Sequence, residues 1–174
     1  MKQAGLILIF CACCGAGFRM SRLLTSRCAQ LGTLKRIVIM LRGEVKHNHS
    51  DLTEAFAVIS GRLNPGDVFR GWLEFLCELL RKRDGRTLQE LFEESVEKKL
   101  GTDSDLNRAD LEKLCGLGEN LGYLDIGMQL ATMDFYLEQL EADLREAEGH
   151  LKEQKRLCQC LGVAGGLFVV LLLI

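Results

Sequence analysis

At 174 residues, the chain has the length of one domain, with room for a modest core and not for two. One proline, abundant Leu and Glu, and no sustained two-residue alternation exclude a sheet protein and favour long helices. The net charge of −2 hides an asymmetry: residues 1–50 hold eight basic side chains against one acidic, and the rest hold fourteen against twenty-three. Such halves either attract each other inside one fold or offer partners two different faces.

The chain opens with an apolar run. Ala4 to Phe18 is 15 residues without a charge, about 22 Å as a helix and short of a roughly 30 Å hydrocarbon core. Counted from Met1 it reaches 18 residues, roughly 27 Å, and Lys2 can snorkel. We expect an uncleaved membrane anchor over 1–18, because the helical pattern continues past Phe18. The rival reading is a signal peptide with Lys2 as its basic start.

The first helix is expected to run on to about Val45. Leu24, Leu31, Val38 and Val45 recur every seven residues, and Leu34 and Leu41 fill the alternate seam. The chain then breaks at Lys46-His47-Asn48-His49. Ser50 is a fair N-cap for a second helix, whose apolar face is Leu52, Phe56, Ile59 and Leu63. Asn64-Pro65-Gly66 opens a third, which carries Phe69, Trp72, Phe75, Leu76 and Leu79. Asp84-Gly85-Arg86 is a turn, and Thr87 to Glu90 has capping-box spacing. The fourth helix buries Leu88, Leu91, Phe92 and Val96 and should end at Gly101. A fifth runs from about Asp105 to Leu121 and stops at Gly122.

The last helix has the clearest pattern. Ile126, Leu130, Met133, Leu137, Leu140, Leu144, Ala147, Leu151, Gln154, Cys158 and Leu161 alternate spacings of four and three. They lead into Leu161 to Ile174, 14 uncharged residues that extend to 18 from Leu157. We expect a second anchor over 158–174. A run this apolar would be an odd core helix for so small a domain. Gly162, Gly165 and Gly166, with small residues in the first anchor, would let the two membrane helices approach closely.

The expected fold is therefore all-α, with about six helices. A soluble domain over 19–157 lies between the anchors. The long first and last helices pack antiparallel as a stalk, and the shorter helices form a head. Arg19, Arg22, Arg27, Lys152, Lys155 and Arg156 all lie on the domain side of the anchors, which places the domain in the cytoplasm.

No motif for chemistry emerges. There is no Walker loop, Rossmann glycine signature or nucleophile elbow. His47-Asn48-His49 lacks a nearby third metal ligand and reads as a solvated loop. The eight cysteines contain no C-x-x-C and read as small apolar side chains in a reducing compartment. The acidic run Glu90, Glu93, Glu94 and Glu97 is either a wet helix face or a docking patch for a basic partner. The basic residues of 19–46 lie by the membrane, so anionic headgroups are a nearer counterion than nucleic acid. We expect no enzyme, no cofactor, no metal, no nucleic acid and no small-molecule substrate. The lipid bilayer is an expected partner.

The whole chain resembles the stage III sporulation protein AB family. The residues that carry the resemblance are Gly17-Phe18, Leu41-Arg42-Gly43-Glu44-Val45 and Leu52-Thr53-Glu54-Ala55. To these add the run from Leu117 to Asp125 with Gln129, and the closing Leu161 to Leu167. Ser50-Asp51 stands where the family favours Thr-Pro, and Arg42-Gly43 stands where it favours an acidic position. The resemblance implies a mother-cell membrane component of the channel apparatus between mother cell and forespore. It implies a secretion-type ATPase and other membrane proteins of the same complex as partners. It also implies a likeness to the platform-protein domains of type II secretion and type IV pilus machines. Within the shared run, Gly118 and Gly122 read as permitting a bend and Asp125 as capping the last helix. A membrane-anchored regulator of envelope enzymes, or an enzyme using the terminal cysteines, are the alternatives.

Overall fold

The computed structural model describes residues 2–48, 51–122 and 125–173, apart from the side chains of 2–11, 13–14, 48, 159, 162–163, 166–167 and 169–173. All secondary structure among the described residues is helical. In chain order it comprises α1 (Lys2–Gly43), α2 (Leu52–Arg62), α3 (Val68–Lys82), α4 (Leu88–Ser95), the single turn α5 (Gly101–Asp103), α6 (Arg108–Leu121) and α7 (Ile126–Leu173). Wider π-helical turns follow α1 at Glu44–Asn48 and α4 at Val96–Leu100. The chain divides into two compact units: a central one, 30–143, and a terminal one formed by 1–29 and 144–174.

The central unit holds the core. In it α1 and α7 run antiparallel in heptad register. Arg42 grips Asp134 in a two-pronged ion pair, with Nε 2.5 Å from Oδ1 and Nη2 donating to Oδ2 at 3.0 Å. Lys35 reaches Glu141 at 2.7 Å. Both pairs step by seven residues, in opposite directions, so basic α1 and acidic α7 attract each other within the fold. Below them Leu31, Leu34, Val38, Leu41, Met133, Tyr136 and Leu140 are buried.

Against this layer α2, α3 and α4 build an aromatic cluster. Trp72 stands edge-on to Phe92 with ring centroids 5.4 Å apart, and Phe69 and Phe56 flank the two rings. A buried indole needs a partner for its N–H. Trp72 Nε1 donates to Ser95 Oγ at 2.9 Å, and that hydroxyl donates to the Phe92 carbonyl at 2.7 Å. The Phe69, Trp72, Leu76 and Leu79 stripe of α3 is thus core, while Phe75 is half-buried under Lys99.

Helix ends follow local chemistry, and several differ from expectation. The N-cap of α2 is Asp51, and Ser50 falls outside the described residues. Helix α3 opens after Asp67, whose carboxylate accepts from the Phe69 N–H, and the turn before it needs Gly66 at φ 95°. Thr87 and Glu90 form the expected reciprocal capping box. Gly101 does not end the fourth helix. Its φ of −60° is right-handed, and its N–H bonds the Val96 carbonyl across the π turn, so helical backbone continues to Asp103. The wider turn puts Val96 and Leu100 on one buried face. Helix α6 starts at Arg108 rather than near Asp105, because Asn107 and Asp110 make a second capping box.

The terminal unit is different in kind. Among its described residues only Ser21 is buried, while Leu24, Leu144 and Leu151 are half-buried. The heptad seam expected along all of α7 weakens here: Gln154 and Leu161 are exposed. Among the described residues no helix is long and apolar enough to cross a membrane. Of the expected anchors, 1–18 and 158–174, the described 2–18 and 158–173 have helical backbone, but many of their side chains lie outside the described residues.

Candidate functional site at the α4, α6 and α7 corner

The sequence singled out Gly118, Gly122 and Asp125, and the structure brings their neighbourhood together in the central unit. Gly118 is not a bend residue. It lies inside α6 and is buried against α4. A Cβ there would fall 2.4 Å from Cγ of Phe92, which real side chains do not tolerate. One turn on, a Cβ on Gly122 would meet Leu88 at 3.1 Å. The two glycines form a smooth strip that lets α4 lie directly on α6, pressing Phe92 into the aromatic cluster. Gly122 ends α6 with φ −75°, so its role is close approach rather than a left-handed turn.

Asp125 stands at the start of α7. Its Oδ1 accepts from the Met128 N–H at 2.8 Å, satisfying one of the free donors of the first turn. Gln129 Nε2 then donates to the Leu121 carbonyl at 2.9 Å. That carbonyl belongs to the last turn of α6 and has no acceptor role within its own helix. One amide therefore ties the end of α6 to the start of α7. Sequence reasoning placed Gln129 in the motif without giving it a task. The signal was its position four residues after a helix cap, facing back along the chain.

A cleft of about 330 Å³ lies beside this corner, with Asp51, Leu88, Gly122 and Gln129 in its wall. Nearby on the α6–α7 side, burial pushes the Tyr136 phenol above its ordinary value, and Asp110, Asp143 and Cys115 reinforce the shift. Lys113 donates to both Asp143 oxygens, at 2.8 and 2.6 Å. Among the described residues of the corner no nucleophile is paired with a base. Among the described residues no three His, Cys, Asp or Glu side chains are grouped to hold a metal. His47 is exposed, and His49 lies outside the description. The corner's chemistry is structural: two helix contacts, one cap and one carbonyl clasp.

The run that builds this corner is also the most specific stretch of the resemblance, and the model of stage III sporulation protein AB matches residues 2–174. The chain belongs to that family. It is 28% identical over 173 residues to stage III sporulation protein AB of Bacillus subtilis (strain 168), covering 99% of both chains. A solved structure of stage III sporulation protein AB superposes with a TM-score of 0.65 at 25% identity, over 72% of this chain and 96% of the other.

In this member of the stage III sporulation protein AB family the three glycines expected to pack the anchors lie on α7. Among the described residues no atom lies within 4 Å of the position a Cβ would take on Gly165. Gly162 and Gly166 fall among the side chains outside the description. The packing boundaries at 29/30 and 143/144 also lie inside the charge-based ones at 18/19 and 157/158. They mark where the buried core stops, which need not be where a membrane begins.

Proposed function

We propose that this protein is a non-enzymatic, membrane-anchored component of the sporulation complex between mother cell and forespore. In this reading 1–18 and 158–174 cross the mother-cell membrane, and Gly162, Gly165 and Gly166 let the two spans approach. The helical domain lies in the cytoplasm as a platform that links a secretion-type ATPase to membrane ring proteins, in the manner of type II secretion and type IV pilus platforms. The observation that carries it is the extent of the family match. It runs from residue 2 to 174 and so includes both apolar ends. The exposed Phe18, Met20, Leu157, Leu161 and Phe168 of the terminal unit support it, since apolar surface of this kind is tolerated in lipid more readily than in water.

The test is an in-frame deletion in the host with microscopy of sporulating cells. Forespores should arrest, and the intact chain should rescue them. Mature spores at normal frequency would reject the sporulation role. Co-purification of the tagged full chain with a secretion-type ATPase separates a platform from a membrane-anchored regulator. Labelling of Cys77 and Cys115 by a membrane-impermeant maleimide added to intact cells would reject the cytoplasmic placement.

A further inference from the structure

The central unit carries a groove that the corner does not use. It runs along the outer side of the α4–α6 contact and has a volume of about 650 Å³. Its floor is apolar: Val96, Leu111 and the Cys115 side chain, opened by Gly101 and Gly116 where no side chain stands in the way. The sequence makes it so. The π turn after α4 widens one wall, and the two glycines remove bulk from both.

Its rims are acidic. Glu93 and Glu97 follow one wall a turn apart, and Glu112 and Glu119 line the other, all exposed. Four glutamates share the lining with one cation, Arg108, which pairs with Glu112 at 2.8 Å. The field reaches the floor. The Cys115 thiol is pushed up to about 11 by burial first, and then by Glu93 and Glu112. The charge repels anionic lipid and nucleic acid, and among the described residues no acidic group is arranged to hold a metal. From Arg108 to Glu119 the α6 wall measures about 17 Å, the length of three helical turns.

We propose that this groove docks a basic amphipathic helix of a partner protein, with apolar residues on the Val96–Leu111–Cys115 floor and Lys or Arg along both glutamate rims. The proposal deepens the platform reading and rests on it, since it gives the platform a surface on which another component can sit.

The binding experiment uses the full chain in nanodiscs and a synthetic 18-residue Leu/Lys amphipathic peptide as probe. The Glu97→Gln/Glu119→Gln double variant should weaken binding at least tenfold. Glu138→Gln/Glu146→Gln, which removes as much charge from exposed positions on α7, should change it less than twofold. The peptide should also slow alkylation of Cys115 at least fivefold, followed by peptide mapping. Equal losses from both double variants, or no protection of Cys115, would overturn the proposal. Self-association abolished by the same groove substitutions would overturn it too, by making the occupant a second copy. In the host, Glu97→Lys/Glu119→Lys should accumulate normally yet lower spore yield at least tenfold. Normal yield from that variant in a strain whose deletion arrests would reject the groove and leave the sporulation role standing. Normal yield from the deletion itself would reject the sporulation role, and the peptide assay would still decide the groove.

Discussion

The central and terminal units share two helices and one heptad pattern, yet they are different kinds of structure. Every buried hydrophobic side chain among the described residues lies between Leu31 and Leu140. In the central unit a further helix helps to complete their burial: α6 lies against α7, where Lys113 meets Asp143 and Leu117 and Tyr136 are both buried. In the terminal unit the described residues of the same spacing belong to α1 and α7 alone, and there Leu24, Leu144 and Leu151 stay half-exposed and Leu157 and Leu161 are open. A heptad repeat therefore says which face a helix will pack, not how much water that packing excludes. Exclusion needs a second layer, or lipid.

Single substitutions put this difference to a direct test. Trp72 is 2% exposed at the centre of the aromatic cluster. Trp72→Ala should cost about 3–5 kcal/mol, with a further contribution from Ser95 losing its donor. Leu151→Ala, on the terminal part of α7, should cost less than about 1 kcal/mol. Urea unfolding of the full chain in detergent reads both. Similar losses at the two sites would mean that the units form one cooperative core and would break the comparison.

The next largest effect tests the close contact at Gly118. Gly118→Val forces α4 and α6 apart at Phe92 and should destabilise by about 1–3 kcal/mol or more, with loss of near-UV aromatic signal. Gly116→Val makes the fair control, because no atom of the described residues lies within 4 Å of its Cβ position. Equal losses would make helix propensity, not contact, the reason for the glycine.

Much of this was legible in the sequence. The heptads gave the antiparallel pairing of α1 and α7, and Thr87-x-x-Glu90 gave a helix start to the residue. The apolar stripe of α3 was legible too, and in the fold Phe69, Trp72, Leu76 and Leu79 are core while Phe75 is half-buried. Where expectation and structure differ, the causes are of two kinds: a tertiary contact that no local rule sees, and a local signal of another type than the one expected. Gly122 does end α6, as its place in the sequence suggests, but Gly118 lies inside the helix, and what Phe92 requires of it is visible only when α4 and α6 meet. Gly101 looks like a stop because a π turn has no sequence signature. The Asn107-x-x-Asp110 box is a local signal, and it sets the start of α6 at Arg108 rather than near Asp105. No rule in one dimension joins Glu93 and Glu97 to Glu112 and Glu119 across a groove.

A pH series sharpens the contrast by about 1 kcal/mol. Burial raises the thiols of Cys77 and Cys115, the latter from 9.0 to about 11. The folded state then holds a proton that the unfolded chain gives up. Stability is full below about pH 9 and is lost as pH climbs through 11. Because Cys115 is half-exposed, the expected loss between pH 8.5 and 10.5 is about 1 kcal/mol, well under the full linkage value. Cys115→Ala should flatten the slope. A stability that rises over this range would contradict the burial of the thiol.

The smallest expected effect tests the register itself. Lys35 and Glu141 are 30% and 41% exposed, so their attraction is screened and each side chain gives up rotamer freedom to make it. Lys35→Ala should cost only a few tenths of a kcal/mol, and 1 M salt should remove most of that. A charge reversal tells more. Lys35→Glu sets like charges face to face on α1 and α7 and should lower the urea midpoint measurably at low salt. Adding Glu141→Lys should restore it, because the antiparallel heptad steps put these two positions opposite each other. Adding Glu138→Lys instead, three residues back on α7, should restore little. If Glu138→Lys rescued as well as Glu141→Lys, only the general attraction between a basic and an acidic helix would be at work, and the register would have to be held by Leu34, Leu41, Met133 and Leu140 alone.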